Sequence, residues 1–245
     1  MKAMILAAGL GTRLRPLTDD RPKALVEVAG RTFLDLTLAR LRSFDIFEVM
    51  INTHHHSEMI ADYLHAHRNF GMQIALSPEP ILLNTGGGLK NAAAFFLTPS
   101  PDAFLVHNVD VLSTIDINQM LRQHTATSAL ATLAVQPRAT SRQLLFDSAG
   151  QLCGRQISGE THLVRVAADP QALAFSGIHI LSTRIFKRLT EEGPFSIIDA
   201  YLRLAAEGEK ILAFNAGDAY WRDLGRPESI DQAAHDIATS RYPAP

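Results

Sequence analysis

Short apolar runs separated by amphipathic stretches give the first half of this chain a strand–helix rhythm, which restricts its fold more than any other feature. Such alternation builds βαβ units, whose parallel strands are buried on both faces and joined by covering helices. Residues 2–7 read as the first strand, followed by a loop rich in Gly, Arg and Pro over 9–31. Phe33, Leu34, Leu36, Leu38 and Leu41 then recur at helical spacing, predicting a helix over 33–42. The rhythm continues with strands at 46–52, 72–76 and 103–106 and helices at 58–66 and 116–124. A glycine turn at 85–88 is expected to open a helix running to about residue 96.

Beyond residue 125 the pattern becomes β-rich, with strands at 129–135, 143–146, 151–157 and 174–181. Helices at 183–189 and 197–207 and strands at 210–215 and 219–222 follow. A closing helix over 227–239 has Pro227 in its first turn. The expectation is an α/β fold with a mixed, mainly parallel sheet, in one domain over 1–245 whose two lobes meet near residue 125.

Composition narrows the partners. The 23 basic and 25 acidic residues leave a net charge of −2, which argues against long nucleic acid as a main partner and for a local anion pocket. One cysteine, Cys153, excludes an internal disulfide framework and suits a reducing compartment. No run approaches the roughly 18–20 apolar residues of a membrane helix. The apolar run at 3–8 is too short for a signal sequence and is followed closely by Arg13 and Arg15. A soluble, cytoplasmic protein without a membrane partner is expected.

The loop after the first strand, Leu6-Ala7-Ala8-Gly9-Leu10-Gly11-Thr12-Arg13-Leu14-Arg15-Pro16-Leu17-Thr18, carries the chemistry. Small residues let backbone amides approach an anion closely, and arginine forks suit phosphate oxygens. A Walker A loop is excluded because no lysine follows Gly11. A dinucleotide fingerprint is excluded because Leu14 stands where the third glycine belongs, and Pro16 interrupts the helix. A plain glycine turn would explain Gly9 and Gly11 alone, but not the arginines with Pro22-Lys23.

Gly9, Gly11, Arg13, Leu14, Pro16, Leu17, Thr18, Pro22, Lys23 and Leu25 resemble the G-x-G-x-R-[LM]-x-P-L-T … P-K-x-[LM] opening of sugar-1-phosphate nucleotidyltransferases. The resemblance implies a Rossmann-like three-layer α/β/α fold, with a nucleotide-binding lobe over about 1–125 and a sugar-binding lobe over about 126–245. It implies that Ala7, Ala8, Gly9, Gly11 and Thr12 wrap a nucleoside triphosphate. Arg13 and Lys23, the catalytic pair, would lie on its phosphates. Thr85-Gly86-Gly87-Gly88 resembles the T-[AG]-G segment that faces the base. Trp221-Arg222-Asp223-Leu224-Gly225 resembles the segment supplying the second metal carboxylate, which makes Asp110 and Asp223 the expected Mg²⁺ ligands. The usual N-G-D is here Asn108-Val109-Asp110, a β-branched residue replacing glycine.

Asn108 and Gly177, within Phe175-Ser176-Gly177-Ile178, are implied on the sugar side. Where relatives carry a second lysine for the sugar phosphate, this chain offers Arg155 or Arg142. His54-His55-His56 lacks a carboxylate or cysteine at ligand spacing and reads as a loop rather than a zinc site. Cys153 reads as a packing residue.

The implied substrates are a nucleoside triphosphate and a sugar-1-phosphate, in a monomer or small homo-oligomer. The chain stops after its closing helix, so a catalytic core without an appended β-helix is expected. UTP with N-acetylmuramate-1-phosphate is favoured over GTP with a mannose or heptose phosphate. A non-catalytic nucleotide-sugar sensor and a metal-dependent glycosyltransferase are the rival classes. Neither accounts for Arg13, Lys23, Asp110 and Asp223 together.

Overall fold

The structure, a computed structural model, describes residues 1–98, 102–243 and 245. The first strand, β1 (Lys2–Leu6), is buried along its whole length. Its alternate residues serve two cores: Ala3 and Ile5 pack on one side of the sheet, Met4 and Leu6 on the other. Two-sided burial is why the run is continuously apolar, and each large side chain so buried contributes about 1.5–3 kcal/mol.

A small hairpin, β2 (Glu27–Val28) and β3 (Arg31–Thr32), leads into α1 (Phe33–Arg42), whose N-cap Thr32 accepts the Asp35 amide at 3.0 Å. The strand–helix rhythm then runs β4 (Glu48–Thr53), α2 (Ser57–Ala66), β5 (Gln73–Pro78). Next come α3 (Asn84–Asn91) and α4 (Ala93–Leu97), then β6 (Ala103–Asn108), β7 (Val111–Ser113) and α5 (Ile117–Thr127). The second half contains β8 (Ala131–Gln136), β9 (Arg142–Phe146), β10 (Leu152–Ile157), β11 (Glu160–Leu163) and β12 (Gln171–Ser182). It closes with α6 (Ile197–Ala206), β13 (Ile211–Asn215), β14 (Trp221–Asp223) and α7 (Pro227–Ala238).

Ten strands form one mixed sheet in the order β11-β10-β9-β12-β6-β1-β4-β5, with β8 on β12 and β13 on β8. Following the pairings, β10 and β12 alone among these run against the others, so the sheet is mainly parallel. The long strand β12 joins the halves: Ile178–Ser182 pairs with β6, and Gln171–Leu173 with β9. Its register on β8 shifts between Phe175 and His179, where Gly177 adopts φ +72°. Helices cover both faces in an α/β/α arrangement: α1 and α5 supply residues to one core, α3 and α6 to the other.

Several expectations need correction. The glycines at 86–88 lie inside α3 rather than in a turn before it, and the helix breaks at Ala92. Helical glycine is unfavourable by about 1 kcal/mol relative to alanine, so packing must hold these three in place. A Cβ on Gly86 would lie 2.2 Å from Phe195 Cε2, and one on Gly88 2.5 Å from Glu79 Oε1. The helical segment expected over 183–189 is a 3₁₀ helix over Thr183–Lys187, and β2, β3, β7 and β11 were not foreseen. Val109 needs no glycine-like backbone: it is buried in the core, and its carbonyl accepts from Thr37 Oγ1 at 3.2 Å.

Three buried histidines set a pH limit on the fold. Desolvation lowers the pKa of His107 and His124 to about 4 and that of His179 to about 3. Unfolded histidine titrates near 6.5, so between about pH 6.5 and 4 the unfolded chain binds protons that the native state excludes. Their stabilising contribution is complete above about pH 6.5 and lost as pH falls. Melting temperature measured by calorimetry is expected to drop steeply across that window. A flat profile there would contradict neutral, buried histidines.

Candidate active site

The carboxyl ends of β1, β4 and β6 open onto a cleft of about 290 Å³. Its lining combines Ala8, Gly9, Arg13 and Lys23 from the first loop with Asn52, Asn84, Thr85, Asn108, Asp110 and Asp223. Open α/β sheets place ligands at this edge, because the loops following parallel strands converge there.

Two local devices shape the loop. Gly11 sits at φ +64°, and a Cβ on it would lie 2.9 Å from Thr18 Cγ2. Thr18 Oγ1 in turn donates to the Gly11 carbonyl at 2.9 Å, closing the loop on itself. The chain returns through a 3₁₀ turn at Lys23–Leu25, which brings Lys23 Nζ to 3.0 Å from Asp110 Oδ2. Asp110 is only 5% exposed.

Asp223 arrives from far along the chain. Antiparallel pairing of β14 with β7 sets Asp223 opposite Val111, and the Leu224 amide donates to the Asp110 carbonyl at 2.8 Å. Asp223 Oδ1 accepts the Gly225 amide at 2.7 Å. A Cβ on Gly225 would lie 2.5 Å from Arg13 Nη2 and 2.6 Å from Asp223 Oδ1, so this glycine lets guanidinium and carboxylate converge. Four of the charged residues singled out in the sequence, Arg13, Lys23, Asp110 and Asp223, thus share one cleft.

Other anticipated residues lie beside the cleft rather than on its wall. The Ala7 amide is already committed to Asn52 Oδ1 at 2.8 Å. Gly11 and Thr12 are outside the lining, and Gly86 and Gly87 are buried in α3 against residues 193–195. A hydrogen-bond relay supports this region. Asn52 Nδ2 donates to Glu79 Oε1 at 2.7 Å, and Glu79 Oε2 accepts the Leu83 amide at 2.9 Å. The position of Asn52 at the end of a parallel strand was the available signal.

A second cavity, of about 520 Å³, adjoins the first and shares Asn108 and Asp223 with it. Gly177 and Arg155 line it, as do Arg138, Arg142, Trp221 and Asp199. Gly177 admits Asn108 closely: an added Cβ would lie 2.7 Å from Asn108 Nδ2. Arg155 Nη1 is held by Asp199 Oδ1 at 2.6 Å. Arg138, missed in the sequence, stacks on Trp221 with its guanidinium carbon 3.4 Å from the ring centroid. His54 lies outside both linings, its Nδ1 hydrogen-bonded with the Glu79 carbonyl at 2.7 Å.

The chain belongs to the nucleotidyl transferase family, whose model matches residues 2–144. An N-acetylmuramate α-1-phosphate uridylyltransferase of Caulobacter vibrioides is 33% identical over 238 residues, covering 93% of each chain. A mannose-1-phosphate guanylyltransferase of Mycobacterium tuberculosis is 28% identical over 99% of this chain, which spans 66% of that protein. The crystal structure of HddC from Yersinia pseudotuberculosis matches with TM-score 0.78 at 23% identity, over 96% of this chain and 99% of that one. At that identity the structural likeness is one of fold.

Proposed function

We propose that this nucleotidyltransferase transfers a nucleoside monophosphate, with uridylate favoured, to a sugar-1-phosphate, with N-acetylmuramate-1-phosphate favoured. The observation carrying this reading is the pair of adjoining cavities. One holds two cations and two carboxylates, the other is larger and sugar-sized, and both share Asn108 and Asp223. The choice of sugar and base is supported by the similarity that extends across 93% of both chains to the uridylyltransferase.

A phosphate oxygen of the sugar-1-phosphate attacks the α-phosphorus of the triphosphate. The new P–O bond forms as the bond to the β-phosphate bridging oxygen breaks, and pyrophosphate leaves with that electron pair. A phosphate monoester has its second pKa near about 6, so the nucleophile is already dianionic at neutral pH and needs no general base. The nearby His107, with its pKa lowered to about 4 by burial, is neutral there and supplies no acid. The demand on the protein is electrostatic. Arg13 binds the departing pyrophosphate, Lys23 lies at the α-phosphate, and Asn108 with Gly177 seats the sugar.

Asp110 and Asp223 provide hard oxygen donors, and the cleft lining contains no thiolate or imidazole. That donor set fits Mg²⁺ completed by phosphate oxygens and water. When bound, such an ion supplies charge neutralisation at the phosphates.

The test is a pyrophosphate-release screen of nucleoside triphosphates against sugar-1-phosphates, with Mg²⁺ and with EDTA. Release with UTP and N-acetylmuramate-1-phosphate is expected, and EDTA should suppress it. Release confined to GTP with mannose- or heptose-1-phosphate replaces the substrate assignment. No release with any pair favours the sensing role.

A further inference from the structure

The sugar-side cavity contains three guanidinium groups, from Arg138, Arg142 and Arg155, and they are not equivalent. Arg155 is engaged with Asp199 at 2.6 Å. Arg142 is exposed on the β9 edge of the cavity. Arg138 is half-buried with its Nε fully covered, and it is held in place. Its Nη2 donates to the Phe175 carbonyl at 3.0 Å, and its plane rests on Trp221. Trp221 is itself anchored, its Nε1 donating to the Ser176 carbonyl at 2.8 Å.

No acid among the described residues touches Arg138, although the Asp223 carboxylate acts on it at longer range and opposes the desolvation. Among the described residues it forms no ion pair, and its buried Nε has no hydrogen-bond partner. Desolvating a charge without a contact ion pair is costly, and in the wall of a cavity such a group is open to an anionic ligand. The desolvation lowers the arginine pKa only to about 10, so the group remains charged at neutral pH. Its place in the wall is informative. Trp221 and Asp223 lie two residues apart on β14, and the Asp223 carboxylate lines both cavities. The arginine that stacks on this strand therefore stands on the wall leading to the catalytic cleft.

We infer that Arg138 binds the phosphate of the sugar-1-phosphate, in place of the Arg155 or Arg142 that the sequence offers. The inference rests on the transferase reading for the identity of its ligand. The geometry is what the role requires: a planar fork held rigid on one face by an indole, partly dehydrated and with no carboxylate in contact.

The experiment compares Arg138→Gln, Arg142→Gln and Arg155→Gln in steady-state turnover and in calorimetric titration with inorganic phosphate. Arg138→Gln is expected to raise KM for the sugar-1-phosphate by roughly tenfold to a hundredfold, the equivalent of one charge-assisted contact, with KM for the triphosphate little changed. It should exceed the other two variants, and Arg138→Lys should recover part of the loss. Phosphate should bind the wild-type protein and bind Arg138→Gln at least about tenfold more weakly. Equal phosphate affinity in the two proteins, or none in the wild type, overturns the inference. So does a larger KM effect from Arg142→Gln or Arg155→Gln, or an equal rise in both KM values with a collapsed melting transition, which would mark Arg138 as a prop for Trp221. If no sugar-1-phosphate is turned over, the transferase reading fails, while the phosphate titration still decides the role of Arg138.

Discussion

Asp110→Asn is expected to reduce pyrophosphate release by roughly 10²–10³-fold or more while leaving a cooperative thermal transition. Asparagine keeps the shape of the side chain and removes its charge. The backbone carbonyl of Asp110 continues to accept the Leu224 amide at 2.8 Å, so the link between β7 and β14 survives. The lost ion pair is largely buried, with side-chain exposures of 15% for Lys23 and 8% for Asp110, so the unpaired Lys23 charge should lower the melting temperature without abolishing the transition. Asp223→Asn should behave alike. If both carboxylates serve the same phosphates, as proposed, the double variant should lose less than the product of the single losses. Near-wild-type turnover by either single variant, measured beside its melting curve, would remove that carboxylate from the reaction.

Substitution of Lys23 separates charge from shape. Lys23→Ala should lower turnover by about 10²–10³-fold, and Lys23→Arg should fail to restore it. The reason is room. A Cβ on Gly9 would lie 3.3 Å from Lys23 Nζ, and one on Gly11 3.3 Å from Lys23 Cβ, so the glycine loop lies directly on this side chain. A broad guanidinium cannot take the place of a compact ammonium there without displacing the loop. The chain has 18 arginines and five lysines, which makes lysine at this position a bias against its own composition. Arg13 is exposed whereas Lys23 is partly buried, and Arg13→Lys, which replaces the fork by a smaller group, should retain more activity than Lys23→Arg. Equal activity of Lys23→Arg and wild type would show that charge alone is required.

Legibility varied with the range of the forces involved. Helix α1 was readable over its whole length because its apolar spacing and the Thr32 cap act within a few residues. The charged residues that meet in the cleft at the strand ends stand in short motifs of the sequence. The three glycines of α3 misled, because glycine normally marks a turn; only contact with Phe195 and Glu79 explains their presence in a helix. Strands β7 and β14 have just three residues each, too few to show a period, yet their pairing brings Asp223 beside Asp110. Arg138 carried no motif at all. Its significance lies in burial and, among the described residues, in the absence of a contact ion pair, and neither has a local signature.

By itself, then, the amino-acid sequence determined the α/β rhythm, the glycine-rich loop and the residue types available for phosphate chemistry. These depend on backbone preference and on periodicity, which operate between near neighbours. Tertiary structure alone decided which charges meet. Lys23 reaches Asp110 across 87 positions, and β14 adds Asp223. It also decided that Arg138 stands desolvated in a cavity wall and, among the described residues, without an ion pair, because hydration and partner distance are set by packing among segments remote in the chain.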